Sequence, residues 1–297
     1  MIKGFGVNID TGRVNGSLKR FREELNFFKG IGFDYIELPP AGLDVIYHRK
    51  LRVQQAERIK NILSEFPFGL TVHCPDPVNL KQEGANYERG FEVLRTTIEF
   101  AAHIGAEVVV YHLGSFGHNQ ALNLQEQYLK EINALRELGE LAGKAGIKIA
   151  VENTLQPVSE VIKVLDEVKH ESVSLLMDIG HLYLYCKRTG KNFLEEVDIG
   201  LARAVELHVH DNFGEGEFGY SSEIITREPF RFTYGIGDLH LPLGQGSIPY
   251  PEIFKLIKAK GFSGIVTLEI NSKDRFEEDY LESFKIMRGI YHEEEVK

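Results

Sequence analysis

The chain has 297 residues, of which 43% are hydrophobic and 26% are charged, and its formal net charge is −10. This length suits a single α/β barrel, which commonly takes about 250 residues, and the composition is that of a globular protein with a large core. No run approaches the roughly 18 apolar residues of a membrane span. The acidic balance disfavours nonspecific binding to nucleic acid, which depends on Lys and Arg neutralising phosphates.

The opening residues and the cysteines both indicate a cytoplasmic protein. The first residues, MIKGFGVNIDTG, lack the basic and apolar regions of a secretory signal, so we expect none. Cys74 and Cys186 are too few for a disulfide framework and fit no zinc-finger spacing, which predicts two reduced thiols.

Apolar runs rich in β-formers alternate along the chain with segments of helical periodicity. Several helices run into glycine and then a strand, as in FFKGIGFDYIEL, AAHIGAEVVVYH and LIKAKGFSGIVTLEI, which is typical of a helix C-cap before a buried parallel strand. The predicted strands are 2–9, 33–38, 68–73, 107–112, 147–152, 173–178, 204–210 and 264–270. The predicted helices are 17–30, 49–65, 85–104, 122–145, 157–169, 191–202, 250–260 and 274–290, the last fraying into a charged end over 292–297.

This succession predicts a single (β/α)8 TIM barrel domain over residues 1–297. A doubly wound open sheet is the alternative, but the first strand is not followed by Gly-x-Gly-x-x-Gly. The segment 211–248 has no clean period and is rich in Gly and aromatic residues. We therefore expect a long loop insertion after strand 7, on the side where barrels keep their active sites.

Ionisable side chains end most of the predicted strands. A single strand-end His is more often structural, and a strand-end Asp or Glu often caps the next helix. Six of the eleven histidines converge here with carboxylates, however, which independent capping does not predict. Imidazole and carboxylate ligands suit zinc, manganese, cobalt or iron, and magnesium is possible. The set is Glu37, His73, His112, Glu152, Asp178, His181, His208, His210, Asp238, His240 and Glu269.

Two residues beside this set are expected to face away from it. We expect His210 to point to the strand face opposite His208, so only one of the two should be a ligand. Cys74 follows His73 directly, and alternation turns its thiol away from the ring of ligands.

The chain resembles the xylose isomerase-like barrel superfamily, which includes sugar isomerases and epimerases and the endonuclease IV proteins of AP endonuclease family 2. The resemblance covers the barrel almost end to end. It is carried by TVHCPDPVNL, VVVYHLGS, IAVENT, LLMDIGH, LHVHDN, HLPLGQGSIPYPEIFKLIKAKGFSG and VTLEIN.

The isomerase and epimerase branch implies one metal site, formed by Glu152, Asp178, His208 and Glu269. In that branch Glu152 and Glu269 would also be the acid and base that move a proton beside a substrate carbonyl. His181 would contact a substrate oxygen. The implied substrate is a sugar or a sugar phosphate.

The endonuclease branch implies up to three zinc ions for phosphodiester hydrolysis. His73 and His112 resemble ligands of a second ion that Glu152 bridges, and the spacing to Asn79 also matches. The ligands of the third ion would be His181, Asp238 and His240.

The sequence departs from both branches. The loop CPDPV lacks the aromatic residue expected in the endonucleases, and Leu239 stands where they have Arg. Gly214 stands where the ketohexose 3-epimerases have Arg, six residues after His208. A dehydratase or lyase acting on a sugar acid or inosose on the same barrel is a third alternative.

Four further residues are candidate substrate ligands. Arg227 and Arg231 could clamp a phosphate or carboxylate, or simply be solvated. Glu37 could bind substrate or cap a turn, and Asn79 could bind substrate. We therefore predict a metal-dependent isomerase or epimerase with one to three divalent ions, a sugar substrate and no membrane association. Nucleic acid is an open but less favoured partner, and a homodimer is left open.

Overall fold

The computed structural model describes residues 2–118, 120–272 and 275–292. Within these residues, eight parallel strands close into a barrel in the order β1-β10-β9-β8-β7-β6-β5-β2, and a further strand pair, β3-β4, forms a hairpin. This confirms the predicted (β/α)8 fold. The strands are β1 (Gly4–Asn8), β2 (Tyr35–Leu38), β3 (Ile46–Tyr47), β4 (Lys50–Leu51), β5 (Gly69–His73), β6 (Val108–His112), β7 (Lys148–Glu152), β8 (Val173–Asp178), β9 (Ala204–Val209) and β10 (Ile265–Leu268).

Helices follow most of the barrel strands. Among the described residues, none of them combines the length and apolar character that crossing a membrane requires. The helices are α1 (Thr11–Val14), α2 (Leu18–Ile31), α3 (Val53–Leu63), α4 (Gly84–Ile104), α5 (Leu124–Lys144), α6 (Val158–Val168), α7 (Ile179–Thr189), α8 (Phe193–Leu201), α9 (Ser222–Ile225), α10 (Glu228–Tyr234), α11 (Tyr250–Lys260) and α12 (Phe276–His292).

The predicted glycine joins between helix and strand are confirmed. Gly32, Gly105 and Gly261 adopt the left-handed conformation at the C-caps of α2, α4 and α11. The strands that follow are apolar along their length because barrel strands are covered on both faces. In β6, for example, the residues before His112 are all buried.

Several elements differ from the sequence expectation, among them the short helix α1 between the first strand and the first predicted helix. Helix α7 was not predicted, although Asp178 caps its first turn and Gly190 ends it. The hairpin β3-β4 was also missed. The segment 211–248 was expected to be a loop but contains the short helices α9 and α10. The expected charged end over 292–297 lies outside the described residues from 293 onward.

Contacts between Cα atoms group the chain into two compact units. Unit 1 comprises Met1–Phe5, Asn153–Glu160 and Met177–Lys297, and unit 2 comprises Gly6–Glu152 and Val161–Leu176. The candidate residues of each unit are described separately.

Candidate metal centre

In unit 2, three strand-end residues bring their polar atoms together. His73, His112 and Glu152 end β5, β6 and β7, and His112 is paired in register with Glu152. The Nε2 atoms of the two histidines are 3.2 Å apart. They lie 3.6 Å and 3.2 Å, respectively, from Oε2 of Glu152, whose side chain is fully buried. We call these three residues the unit 2 cluster.

The other ring nitrogen of each histidine, Nδ1, contacts an oxygen atom of the protein. Nδ1 of His73 is 3.0 Å from the carbonyl oxygen of Cys74, and Nδ1 of His112 is 2.9 Å from Oδ1 of Asp76. A carbonyl oxygen only accepts, so Nδ1 of His73 carries a proton and its Nε2 faces Glu152. This orientation, with Nδ1 held and Nε2 directed inward, is the one that metal-ligating histidines adopt.

The pKa values of these histidines reflect the buried carboxylate. Burial opposes the charged form of His73, but the nearby Glu152 carboxylate and the charge of Glu37 raise its pKa to about 9. Burial likewise opposes charging of His112, while the charge of Glu152 and the hydrogen bond to Asp76 raise its pKa to about 10. The site therefore favours a positive charge, whether it comes from protons or from a cation.

In unit 1, a second group of side chains converges on Asp238. Nε2 of His181 and Nε2 of His240 lie 2.9 Å and 2.8 Å from Oδ2 of this carboxylate. Nε2 of His210 is 3.6 Å from its Oδ1. The ring of His210 stacks on that of His240 at a centroid distance of 4.0 Å. We call these four residues the Asp238 cluster.

The histidines of the Asp238 cluster are oriented in the same manner. Nδ1 of His181 is 3.1 Å from the carbonyl oxygen of Asn153, and Nδ1 of His240 is 2.9 Å from that of Glu269. His240 adopts a left-handed backbone conformation with φ of 46°, which is uncommon for a residue other than glycine and recurs at functional sites. Backbone carbonyls thus fix the direction of both rings.

Charge–charge attraction dominates the electrostatics of this cluster. Burial opposes ionisation of Asp238, but the charges of His240, His181 and His210 hold the pKa of its carboxyl well below the ordinary value. Burial opposes charging of His240, while Asp238 raises the pKa of that imidazole to about 9.

The Asp178 carboxylate contacts both the start of α7 and the ring of His210. Its Oδ1 accepts from the backbone N–H of His181 at 2.6 Å, which caps α7, and lies 3.2 Å from Nε2 of His210. Its Oδ2 is buried and has no hydrogen-bond partner among the described residues. Nearby in the same unit, Nδ1 of His208 is 3.1 Å from Oε2 of Glu269.

The arrangement of these imidazoles and carboxylates fits a bound divalent cation. Leaving a buried carboxylate oxygen unsatisfied is costly, so the orphaned Oδ2 of Asp178 is the kind of atom that a bound cation would satisfy. In unit 2, the carbonyl-fixed tautomer of His73 directs Nε2 at a carboxylate, an arrangement that a cation between the two groups would also favour. The donors are imidazoles and carboxylates, which suit borderline divalent metals.

Comparison with known proteins assigns the fold to a family. Residues 25–290 match the family described as xylose isomerase-like TIM barrel.

The chain belongs to the xylose isomerase-like TIM barrel family.

Relatives of this xylose isomerase-like barrel include proteins of named and unnamed activity. An uncharacterized protein of Methanocaldococcus jannaschii is 27% identical over 192 residues, a match that covers 60% of this chain and 55% of that protein. L-ribulose-5-phosphate 3-epimerase UlaE of Shigella boydii is 22% identical over 261 residues, which covers 84% of this chain and 82% of that enzyme. The first of these matches thus spans little more than half of the relative's length.

Solved structures share the same fold. A D-tagatose 3-epimerase-like protein aligns with a TM-score of 0.76 at 21% identity, covering 99% of this chain and 100% of that chain. D-psicose 3-epimerase in the presence of D-fructose aligns with a TM-score of 0.72 at 14% identity, covering 97% and 99%. At these identities the likeness shows the architecture of the barrel.

The expectation for His210 was wrong. Residues two apart in a strand share a face, so His208 and His210 project to the same side. The structure places the buried His210 ring against Asp178 and Asp238. By contrast, Cys74 does turn away, and its thiol lies 3.8 Å from the Thr97 hydroxyl of α4.

The segment that supplies Asp238 and His240 is closed at its base. Asp211 and Leu241 exchange two backbone hydrogen bonds of 2.8 Å, so the chain leaves β9 and returns to the same place. The Asp211 carboxylate also accepts from the N–H groups of Gly244 and Ile248. In this xylose isomerase-like barrel, the bridge brings the candidate ligands Asp238 and His240 beside His210.

The other candidate substrate ligands are held by protein contacts. Glu37 is buried and accepts from the amide of Asn8 at 2.7 Å. The Asn79 amide donates to the carbonyl of Ser115 at 2.9 Å. A substrate role for either residue stays a prediction.

The two arginines lie in different surroundings. Arg227 is exposed and lies 3.8 Å from Glu223. Arg231 is half-buried, pairs with Glu217 at 3.5 Å and donates to the backbone carbonyl of Asp238. Arg231 thus anchors the insertion at a candidate ligand, and its clamp role stays a prediction.

Sequence reasoning missed the residues that orient the candidate ligands. The Asn153 side chain exchanges two 3.0 Å hydrogen bonds with the backbone of Asp178. Asp76 orients His112. The motif IAVENT contains Asn153 directly after Glu152, but its partner became identifiable only once the strands were placed side by side.

Proposed function

We propose that the protein is a divalent-metal-dependent isomerase or epimerase of a sugar or sugar phosphate. The observation that carries this proposal is the set of imidazoles and carboxylates at the carboxyl ends of the barrel strands, where barrels of this fold place their active sites. The curated relative named as an L-ribulose-5-phosphate 3-epimerase, aligned over most of both chains, supports the sugar class.

The proposed metal ligands are Glu152, Asp178, His208 and Glu269. Each stands within one residue of the end of a barrel strand. A bound divalent cation would polarise the carbonyl and neighbouring hydroxyl of the substrate, which acidifies the C–H bond between them. Zinc, manganese, cobalt and magnesium are the candidate ions.

Glu152 and Glu269 are the proposed acid and base. Glu152 ends β7, and Glu269 follows β10 directly. One carboxylate removes the proton and the other returns a proton to the opposite face. His181 is the proposed hydrogen-bond partner of a substrate oxygen.

Phosphodiester hydrolysis is a second candidate function. The unit 2 cluster and the Asp238 cluster each bring at least two imidazoles to one carboxylate. Sites for two further cations would suit a hydrolase that stabilises phosphoryl oxygens. A cytoplasmic location and a homodimer remain predictions under either function.

Metal analysis and an activity screen together test these alternatives. We would purify the protein without added metal, measure metal per chain, and then follow ketoses and ketose phosphates by exchange of the C–H proton with solvent deuterium. Epimerisation or exchange of any of them supports the first proposal. Cleavage of an oligonucleotide with an abasic site, lost on chelation and in His73→Ala, would move hydrolysis to first place.

Metal binding is expected to release protons near neutral pH. Without a metal, the pKa values of His73, His112 and His240 are raised to about 9, 10 and 9, so these rings hold protons that a cation must displace. Apparent affinity for zinc should therefore rise with pH until about pH 9–10 and fall as the solution is acidified. Calorimetry in two buffers of different ionisation enthalpy measures the released protons.

His73→Ala should reduce that proton release, whereas His103→Ala should leave it unchanged. His103 is a matched control because it pairs with Glu57 on the surface, away from both clusters. A zinc affinity that does not change with pH would contradict the assignment of these histidines as ligands.

A further inference from the structure

A cavity of about 560 Å³ opens beside the Asp238 cluster within unit 1. His181 and Asp238 line it, so it shares two residues with the candidate metal centre. Helix α7, the loop after β7 and the 211–248 insertion supply the remaining wall. The apolar and aromatic lining residues are Leu155, Leu184, Tyr185, Phe218, Tyr220 and Ile225.

Two of these side chains are unusually exposed. Phe218 is 95% exposed and Leu155 is 63% exposed, although both are large and apolar. Single exposed apolar residues are common, but here they belong to one concave wall that faces a candidate active site. A ligand that covered this wall would remove apolar surface from water, which is favourable.

The wall also carries charged residues, of which Glu217 is ion-paired and Arg188 is exposed. Glu217 pairs with Arg231 at 3.5 Å, which fixes the insertion against the carbonyl of Asp238. Arg188 is exposed, and its guanidinium lies 5.5 Å from the ring centroid of Tyr185. Among the described lining residues, Arg188 is the one Lys or Arg side chain. A phosphate group is usually bound by several such cations, so this wall is poorly suited to one.

We propose that the cavity holds an apolar ring or alkyl group attached to the sugar substrate, whose polar part meets the candidate metal centre. This inference rests on the proposed sugar isomerase or epimerase function and narrows its substrate class. The preferred substrate is a sugar derivative with an apolar substituent, and a free or phosphorylated sugar binds less well. Phe218 and Leu184 are the specificity-determining residues.

Binding of matched sugars to the metal-loaded protein tests this inference. The probes are 4-nitrophenyl and methyl glycosides of glucose, galactose and mannose, with glucose 6-phosphate for comparison, measured by isothermal titration calorimetry. For at least one sugar, the nitrophenyl form should bind about tenfold or more tightly than the methyl form, because its ring is buried on the apolar wall.

Matched variants locate the effect. Phe218→Ala and Leu184→Ala should each remove most of the preference for the nitrophenyl form. Tyr47→Ala and Leu129→Ala are the controls, since both residues are large, exposed and outside the cavity, and they should keep the preference. Equal binding of both forms, absence of nitrophenyl glycoside binding, or tighter binding of glucose 6-phosphate would overturn the inference.

The two proposals can fail separately because binding needs no turnover. A nitrophenyl preference without exchange of any sugar would leave the apolar subsite in place and reject the isomerase or epimerase function. Turnover of free ketoses without that preference would do the reverse.

Discussion

Replacing Glu152 with glutamine is expected to lower kcat/KM of the proposed isomerase or epimerase by about 10²–10⁴-fold, the usual contribution of a positioned acid or base. The variant should also bind less metal. Glu152 is fully buried at the end of β7, and Nε2 of His112 lies 3.2 Å from its Oε2. A neutral amide retains the size of the side chain but cannot take up a proton or offer a charged ligand.

Solvent-deuterium exchange into the substrate and elemental analysis measure the two effects independently. Glu160→Gln is the matched control because it makes the same substitution at an exposed position of α6. It should leave rate and metal content unchanged. Full exchange and full metal content in Glu152→Gln would reject the role of this residue.

Replacing Lys81 with methionine is expected to destabilise the protein by about 3–5 kcal/mol, because it leaves a buried carboxylate without its counter-ion. Lys81 and Glu131 are both buried, and their charged atoms lie 3.1 Å apart. The Glu131 carboxylate also accepts from the Tyr111 hydroxyl and the Gly114 N–H, both at 2.7 Å. The pair therefore joins α5 to the loop that follows β5, and Glu131 also holds the loop that follows His112.

Urea unfolding measures the change in free energy. The Lys81→Met/Glu131→Gln double variant should recover much of the loss, since it removes both buried charges and leaves an amide oxygen to accept from Tyr111 and Gly114. Arg22→Ala is the control: Arg22 pairs with Glu65 on the exposed surface, where solvent screens the charges, so losing that pair should change the free energy of unfolding far less. If Lys81→Met lowered the free energy of unfolding no more than Arg22→Ala, a dominant role for the buried pair would be contradicted.

Local patterns in the sequence predicted the barrel and the convergence of several candidate ligands. The eight strands carry continuous apolar runs, and glycines such as Gly105 end the preceding helices, so strand positions follow from neighbouring residues. Because parallel strands of a barrel end on one rim, His73, His112 and Glu152 could be expected to meet. Their contacts in unit 2 confirm that expectation.

The remaining features depend on tertiary contacts or on reasoning that failed. His210 was misplaced because two-residue spacing was read as alternation. Helix α7 was missed although Ile179, Leu182 and Cys186 have helical spacing and are buried. The carbonyl of Asn153 that orients His181 cannot be inferred from spacing, since it comes from a chain segment 28 residues away.

The Asp211–Leu241 bridge has an evolutionary consequence. The N–H of Gly237 also donates to the carbonyl of Glu215 at 2.7 Å, so the intervening chain begins and ends at nearly the same point. Doubling the length of a flexible loop between fixed ends costs only about 0.6 kcal/mol. Descendants of this protein could therefore exchange the segment 216–236 for unrelated ones and acquire new substrates, while inheriting Asp238 and His240 in place.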